Sequence, residues 1–289
     1  MRRKSPLQRA GRIGLYAFLI GTALFFAIPL FIVILTALKD GAEAKGASIF
    51  ALPASPDLEA FATAWSSACI GRDCEGIGGR FWNSVTITVL ATGASLVVAS
   101  LNGFALALWN LKRAGLVLGL LLVGAFVPYQ IMIYPLVRIF AVAGIHQTLG
   151  AVVLIHVLFG LPILTLIFRN FYVALPEELI KAARVDGAGF FQIWLRIVLP
   201  MSGNVAIVAG ILSVTGVWND YLLGLIFAGA DWQPMTVAVA SLAATASSGV
   251  PDYPVNMAAT LMTALPPLLL YVLTGKYFVR GVTAGAVKG

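Results

Sequence analysis

Charged side chains are scarce in this sequence of 289 residues, since Asp, Glu, Lys and Arg together supply only 11% of it. Hydrophobic residues supply 60%, and the mean hydropathy is +0.95. Because a soluble globular domain carries about 25% charged residues, this composition excludes one. The lipid bilayer is therefore the expected solvent of most of the chain.

Histidine and cysteine are also rare, with two of each. His146 and His156 have no nearby nucleophile and acid with which to form a catalytic constellation. The sequence contains no G-x-x-x-x-G-K-[ST] run, which is the phosphate-binding loop of many ATPases. We therefore expect a non-catalytic chain that binds no metal and no cofactor.

Long apolar runs dominate what remains. About 20 apolar residues span a bilayer as a helix, because each residue adds about 1.5 Å. Alternating segments of about 10 residues, typical of membrane β-barrels, are missing. The sequence therefore predicts an all-α, polytopic membrane protein with six transmembrane helices, at about 14–38, 84–109, 115–139, 149–168, 204–227 and 257–276.

The distribution of Lys and Arg predicts the orientation. With a cytoplasmic N-terminus, inner segments hold fourteen of the nineteen basic residues. The tails at 1–13 and 277–289 are then cytoplasmic, the loop at 39–83 is periplasmic, and 84–276 forms a five-helix core. The first apolar run is too long for a signal peptide and is expected to remain as a span. The net charge of +7 thus reflects topology in a bacterial inner membrane, with lipid and not nucleic acid as the surroundings.

A polar stretch at 176–200 predicts a helical hairpin between the fourth and fifth spans. Pro176 and the two acidic residues after it suit a first helical turn. Glu177 can pair with Lys181 one turn later. The first helix should therefore run to about Val185.

Gly187 and Gly189 should break that helix, and a second is expected over 190–197 until Pro200 ends it. Its apolar face would consist of Phe190, Ile193, Trp194 and Ile197. Such a hairpin can lie on the lipid surface or dock on a partner protein. The small side chains of Ala182 and Ala183 favour docking, because they let another backbone approach closely.

The spacing of this hairpin resembles the EAA loop of ABC-importer permeases: Lys181-Ala182-Ala183, three residues, Gly187, nine residues, Ile197, one residue, Leu199-Pro200. The resemblance implies a type I ABC importer permease fold whose coupling helix sits in a groove of a cytoplasmic ATPase subunit. ATP and Mg would be bound by that subunit. The implied coupling positions are Glu177, Glu178, Lys181, Ala182, Ala183, Asp186 and Gly187.

Two positions depart from the family pattern. Lys181 stands where the family usually has Glu, so an ionic contact expected from that acid falls to Glu178 or is reversed in sign. Gly189 stands where Ser commonly begins the second helix. A glycine N-cap costs only a few tenths of a kcal/mol relative to Ser, so the hairpin should tolerate it.

The rest of the chain, from about Phe81, resembles the maltose-type, MalG-like permeases of carbohydrate ABC importers. The marks are Asn83-Ser84, Val127-Pro128, Pro135-Leu136, Trp218-Asn219-Asp220 and the ending from Gly281 to Gly289. The resemblance implies a heterodimer with a second permease, two ATPase subunits, and a periplasmic binding protein that delivers a sugar. It also directs the glycine-rich tail toward the ATPase interface, although chain ends commonly fray.

Two alternatives remain open. One is a permease of the same superfamily for an amino acid, a peptide or a polyamine. The other is an ion-coupled secondary transporter, which is disfavoured because the sequence shows no acidic midplane cluster and no evident repeat.

Polar residues inside the spans are candidates for the substrate pathway. They are Asn102, Tyr129, Gln130, Tyr134, Arg138, Trp218, Asn219, Asp220 and Tyr221. The aromatic residues can instead form an interfacial belt, and Asp220 can cap a helix or pair with Arg138. A cation at Arg138 would favour an anionic sugar, or the side chain simply extends to the interface.

The two cysteines, Cys69 and Cys74, lie close together in the loop at 39–83. In an oxidising periplasm two neighbouring thiols tend to pair. A disulfide is therefore expected, with two free thiols as the alternative. Two ligands are too few to suggest a metal site.

Overall fold

The computed structural model describes residues 6–46, 48–71, 73–109, 111–244 and 252–286. Their secondary structure is helical, apart from one isolated bridge between Ile70 and Asp73. The chain forms two compact units, one from Met1–Ile77 with Ser241–Met262 and the other from Gly78–Ala240 with Thr263–Gly289.

The first unit begins with the long helix α1 (Pro6–Ala37), followed by the short helices α2 (Gly41–Gly46) and α3 (Glu59–Ser66). Most side chains of α1 from residue 11 to 31 are exposed and apolar, as expected of a helix that meets lipid. The first predicted span therefore corresponds to α1, which begins earlier, at Pro6.

A tight turn follows α3. Cys69 and Cys74 form a disulfide across it, on either side of the bridge between Ile70 and Asp73. The amide of Ile77 donates to the carbonyl of Ala64 at 2.9 Å, which ties the end of the turn back to α3.

Two long parallel helices organise the second unit: α4 (Gly78–Leu108) and α7 (Leu149–Val173), which pack together more extensively than other helix pairs. A Cβ atom at Gly103 would lie 2.8 Å from the backbone nitrogen of Arg169 and 2.8 Å from Cβ of Phe168. The helices can approach this closely only because Gly103 has no side chain.

The remaining helices are shorter or bent. In chain order they are α5 (Ala114–Phe126), α6 (Tyr129–Val142), α8 (Glu177–Val185), α9 (Phe190–Ile193), α10 (Leu199–Met201), α11 (Gly203–Trp218), α12 (Leu222–Phe227), α13 (Met235–Ala244) and α14 (Tyr253–Ala286). Four helices in the described residues are long and apolar enough to cross a membrane, or six spans result if two bent helix pairs each count as one. The number of six predicted spans is therefore reached only if both bent pairs are counted as spans.

The third predicted span, 115–139, was wrong as a continuous helix. It is divided into α5 and α6, whose axes differ by 100°. Val127 has an extended backbone (ψ 124°) because a residue before proline is disfavoured in the helical region, and Pro128 follows it.

The fifth predicted span, 204–227, was also wrong as one helix. α11 ends at Trp218, and α12 begins only after the break at 219–221. Before α11 the chain bends by 81° near Ser202, and α13 was not predicted at all.

Two predicted helix ends were wrong as well. Pro200 does not end the second hairpin helix, because a π-turn over Trp194–Val198 precedes it and α10 carries the helix to Met201. α14 continues beyond the predicted end at 276 to Ala286, through most of the glycine-rich tail. A glycine costs a helix only about 1 kcal/mol, so Gly281 and Gly285 do not stop it. Residues 287–289, with Lys288, lie outside the described residues.

Candidate coupling hairpin and translocation site

The coupling hairpin, residues 176–200, has the two-helix form expected from the sequence. α8 ends at Val185, and Gly187 has a positive φ of 81°, a conformation that glycine adopts without strain. The side-chain oxygen of Gln192 accepts a hydrogen bond from the amide of Gly189 at 3.0 Å. Gln192 therefore supplies the half of a capping box that does not require a serine at Gly189.

One face of the coupling hairpin packs into the protein itself. Ile180, Ala183 and Ile193 are buried in the hairpin cluster, a core that also contains Phe104 of α4 and Phe168 and Tyr172 of α7. Ala183 is only 7% exposed, so its side chain faces this core and not an external partner. The interpretation of Ala183 as a surface docking position is corrected accordingly.

Three polar side chains join this cluster. The indole nitrogen of Trp194 donates to the hydroxyl oxygen of Ser100 at 3.0 Å, and Ser100 shares a 2.7 Å hydrogen bond with the hydroxyl of Tyr172. Ser100 and Tyr172 are 1% and 0% exposed. We call these three residues the hydroxyl node. Of the three, only Trp194 was singled out from the sequence, as part of the apolar face of the second hairpin helix.

Arg184 provides a second attachment. Its guanidinium group donates to the carbonyl of Leu108 at 2.9 Å and lies 4.4 Å from the ring centroid of Trp109. Leu108 is the last residue of α4, where helix carbonyls lack partners within the helix. Arg184 therefore binds α8 of the hairpin to the end of α4.

The opposite face of the coupling hairpin is exposed. It carries the predicted ion pair between Glu177 and Lys181, 3.1 Å apart, and both side chains are more than 60% exposed. Exposed apolar side chains accompany it: Val185 is 88%, Phe191 66% and Leu195 56% exposed. Of the sequence-predicted coupling positions, Glu177, Glu178, Lys181, Ala182, Asp186 and Gly187 lie on this exposed face.

At the other end of α4, its side chains bind the backbone of the segment before α13. The side-chain amide nitrogen (Nδ2) of Asn83 donates to the backbone carbonyls of Asp231 and Gln233 at 2.9 and 3.2 Å. The hydroxyl of Ser84 accepts from the amide of Met235 at 2.8 Å. We call residues 228–236 the returning turn; the Asn83-Ser84 motif holds it.

Asp220 caps the next helix. Its carboxylate accepts from the amide of Gly224 at 2.9 Å and lies 3.9 Å from Nε2 of His156, while Thr236 donates to the carbonyl of Asp220 at 2.6 Å. The capping alternative weighed for Asp220 is therefore the one observed. His156 was not selected from the sequence.

Trp218 is a buried structural residue. It is 5% exposed, and its indole donates to the carbonyl of Thr263 at 2.9 Å. The indole N–H of Trp218 is thus engaged with the backbone of α14. This engagement argues against direct substrate contact.

The other pathway candidates are dispersed. Gln130, Tyr134, Arg138, Asn219 and Tyr221 are exposed, whereas Asn102 is half-buried beside Gly103, near the coupling hairpin. Tyr129 packs against Phe159 and lines a cavity of about 560 Å³ between α5, α6 and α7. The cavity lining is otherwise apolar, so the structure does not gather the candidates into one sugar site.

The sequence matches the family of binding-protein-dependent transport system inner membrane components over residues 95–283. A probable ABC transporter permease protein of Pyrococcus horikoshii is 40% identical over 173 residues, which is 60% of this chain and 62% of that protein. The xylose/arabinose import permease protein XacI of Haloferax volcanii is 31% identical over 97% of this chain and 94% of the relative.

The fold is also similar to a solved structure. A chain of a bacterial ABC transporter involved in the import of the acidic polysaccharide alginate superposes with a TM-score of 0.79 at 18% identity, covering 96% of this chain and all of that one. The family match covers more than half of the sequence, and apolar helices of spanning length accompany it. The chain therefore belongs to the binding-protein-dependent transport system inner membrane components, the multi-pass permease subunits of ABC importers.

Proposed function

We propose that this permease takes up a sugar or sugar derivative, and that its coupling hairpin docks on a cytoplasmic ATPase subunit. The observation that carries the docking proposal is the two-sided hairpin. One face is fixed in the hairpin cluster, whereas the other exposes Val185, Phe191 and Leu195. Apolar side chains at 56–88% exposure among charged residues are typical of a surface that a partner covers.

The orientation follows from charge. Lys112, Arg113, Arg184 and Arg196 lie at the hairpin end of the second unit and are exposed. Because basic residues favour the cytoplasmic side, the hairpin should face the cytoplasm, with both termini on that side. ATP and Mg would be bound by the ATPase subunit and not by this chain.

The sugar proposal rests on relatedness. The relative XacI is named as a xylose/arabinose import permease and aligns over nearly the whole chain. The sequence marks of the maltose-type branch agree with this class. A periplasmic binding protein would deliver the sugar, and a second permease subunit would complete the pore above two ATPase subunits.

Co-purification is the test of docking. A tagged permease, solubilised with its second permease subunit, should retain the ATPase subunit, and a Phe191→Asp variant should lose most of it. Burying an uncompensated carboxylate in an apolar interface costs several kcal/mol, which is more than tenfold in affinity. Trp82→Asp, which adds the same charge at a 64% exposed aromatic residue of α4, is the matched control and should retain the ATPase.

Uptake by proteoliposomes that contain the full complex tests the sugar proposal. With the cognate binding protein outside the vesicles and ATP inside them, uptake of a pentose or an oligosaccharide should exceed uptake of amino acids. If the vesicles take up an amino acid, a peptide or a polyamine but no sugar, the proposal that the substrate is a sugar is wrong.

A further inference from the structure

We propose that the hydroxyl node, Ser100 with Tyr172 and Trp194, is the positioning device that transmits hairpin movement to helices α4 and α7. The inference rests on the proposed docking of the hairpin. Each of the three side chains comes from a different element: Ser100 from α4, Tyr172 from α7 and Trp194 from the π-turn. Two hydrogen bonds, of 3.0 and 2.7 Å, join all three elements at one oxygen atom.

Burial makes this connection difficult to break. Ser100 and Tyr172 are almost fully inaccessible, and the surrounding hairpin cluster is apolar. Rupture would leave buried polar groups without partners, which costs more than an exposed hydrogen bond does. The hairpin and the two helices should therefore move together rather than slide past one another.

Arg184 attaches the hairpin to α4 at a second point, in addition to Trp194. It holds the carbonyl of Leu108, eight residues beyond Ser100, which is about 12 Å along the helix. One contact comes from α8 and the other from the second hairpin helix. Two contacts about 12 Å apart along one helix transmit tilting as well as translation of the hairpin to α4.

The covalent route out of the hairpin is less direct. α10 and α11 meet at an 81° bend near Ser202, whose buried hydroxyl donates to the carbonyl of Leu199 at 2.7 Å. The π-turn that carries Trp194 immediately precedes this bend, and π-turns occur frequently at functional sites. The node thus supplies a side-chain link from the hairpin to α4 and α7, and Tyr172 also pairs with the side chain of Ser202 at the bend.

The test uses variants that each remove one partner of the node. Trp194→Phe removes the indole donor together with the five-membered ring that carries it, and Ser100→Ala removes the shared oxygen. Each is reconstituted with the second permease, the ATPase subunits and the binding protein, and three quantities are measured: retained ATPase subunit, ATP hydrolysed, and substrate transported. The expected result is retained ATPase subunit with about fivefold less substrate transported per ATP, the factor that corresponds to one hydrogen bond.

A double variant distinguishes coupling from general destabilisation. Both changes break the bond between Trp194 and Ser100. The double variant should therefore lower the transport ratio, which is substrate transported per ATP hydrolysed, no further than Ser100→Ala alone. Trp82→Phe, an exposed position on α4, should leave the ratio unchanged. If Ser100→Ala does not fold, Trp194→Phe decides the matter alone.

Three results would overturn the proposal. An unchanged ratio in Trp194→Phe would show that the node does not transmit movement, while the docking proposal would stand. A decrease that only follows loss of ATPase subunit would reduce the node to a structural role. If the unsubstituted complex contains no ATPase subunit, both the docking proposal and the proposed role of the node are wrong. The presence of this subunit is therefore measured first.

Discussion

The two ends of the α4 and α7 pair are held by different chemistry. At the hairpin end, side chains bind side chains, through the hydroxyl node and the ring contacts of Phe104 and Trp109 with Phe190. At the other end, Asn83 and Ser84 bind backbone atoms of the returning turn. A backbone contact depends on the path of the partner segment, whereas a side-chain contact also depends on its residues. Apart from the bond of Arg184 to the carbonyl of Leu108, the contacts described at the hairpin end should therefore depend on residue identity on both sides.

The largest effect is expected where the two helices approach most closely. Gly103→Ala places a methyl group 2.8 Å from α7 backbone and Cβ atoms, so the helices must separate. Overpacking of this kind costs about 1–3 kcal/mol. Gly93→Ala, on the same helix with no atom within 4 Å of the added carbon, is the control and should be neutral or stabilising. Thermal unfolding in detergent measures both, and equal melting temperatures would contradict the close packing described for α4 and α7.

Asn83→Ala should have the next largest effect, at the other end. It removes donors to two carbonyls of the returning turn and should cost about 1–2 kcal/mol. Gln233→Ala changes a residue whose backbone, but not side chain, takes part in these bonds, and should cost much less. Hydrogen exchange at 228–236 measures the loosening. If both variants loosen the turn equally, the contrast between backbone and side-chain recognition is wrong.

Trp218→Phe should produce a smaller change. It keeps an aromatic side chain but removes the five-membered ring with its donor to the Thr263 carbonyl, and the lost hydrogen bond costs about 1 kcal/mol. The apparent stability should fall while the substrate concentration at half-maximal uptake stays the same. A change in that concentration without a loss of stability would return Trp218 to the substrate pathway.

Lys181→Glu should have the smallest effect. It removes an ion pair between side chains that are both more than 60% exposed, and such pairs contribute about 0–1 kcal/mol. The variant also restores the acid that the family usually has at this position. We expect retained ATPase subunit and nearly unchanged stability; loss of the subunit on co-purification would show that the lysine itself makes a contact.

The sequence predicted the hairpin well because its signals are local. Proline and acidic residues begin α8, Gly187 ends it, and the ion pair at Glu177 and Lys181 requires only helical spacing. Apolar runs likewise located the spans. These features depend on residues within one or two turns of each other.

The sequence could not predict contacts between residues far apart in the chain. Ser100 and Trp194 are 94 residues apart, and Asn83 and Gln233 are 150 apart. The bends failed for a related reason: apolar length gives a span but does not show where Pro128 or the break at 219–221 divides it. Ala183 was misinterpreted because a small residue fits close packing against its own core as well as against a partner.

Site-directed crosslinking tests the central claim most directly, namely that the exposed hairpin face meets the ATPase subunit. The native cysteines are paired in a disulfide, so a single Val185→Cys substitution at an 88% exposed position supplies the reactive thiol. Val142→Cys, which is 87% exposed before the start of α7 and hence at the end away from the hairpin, is the matched control. In the assembled transporter, Val185→Cys should crosslink to the ATPase subunit and Val142→Cys should not. Crosslinking of the ATPase subunit through Val142→Cys, with none through Val185→Cys, would contradict the account.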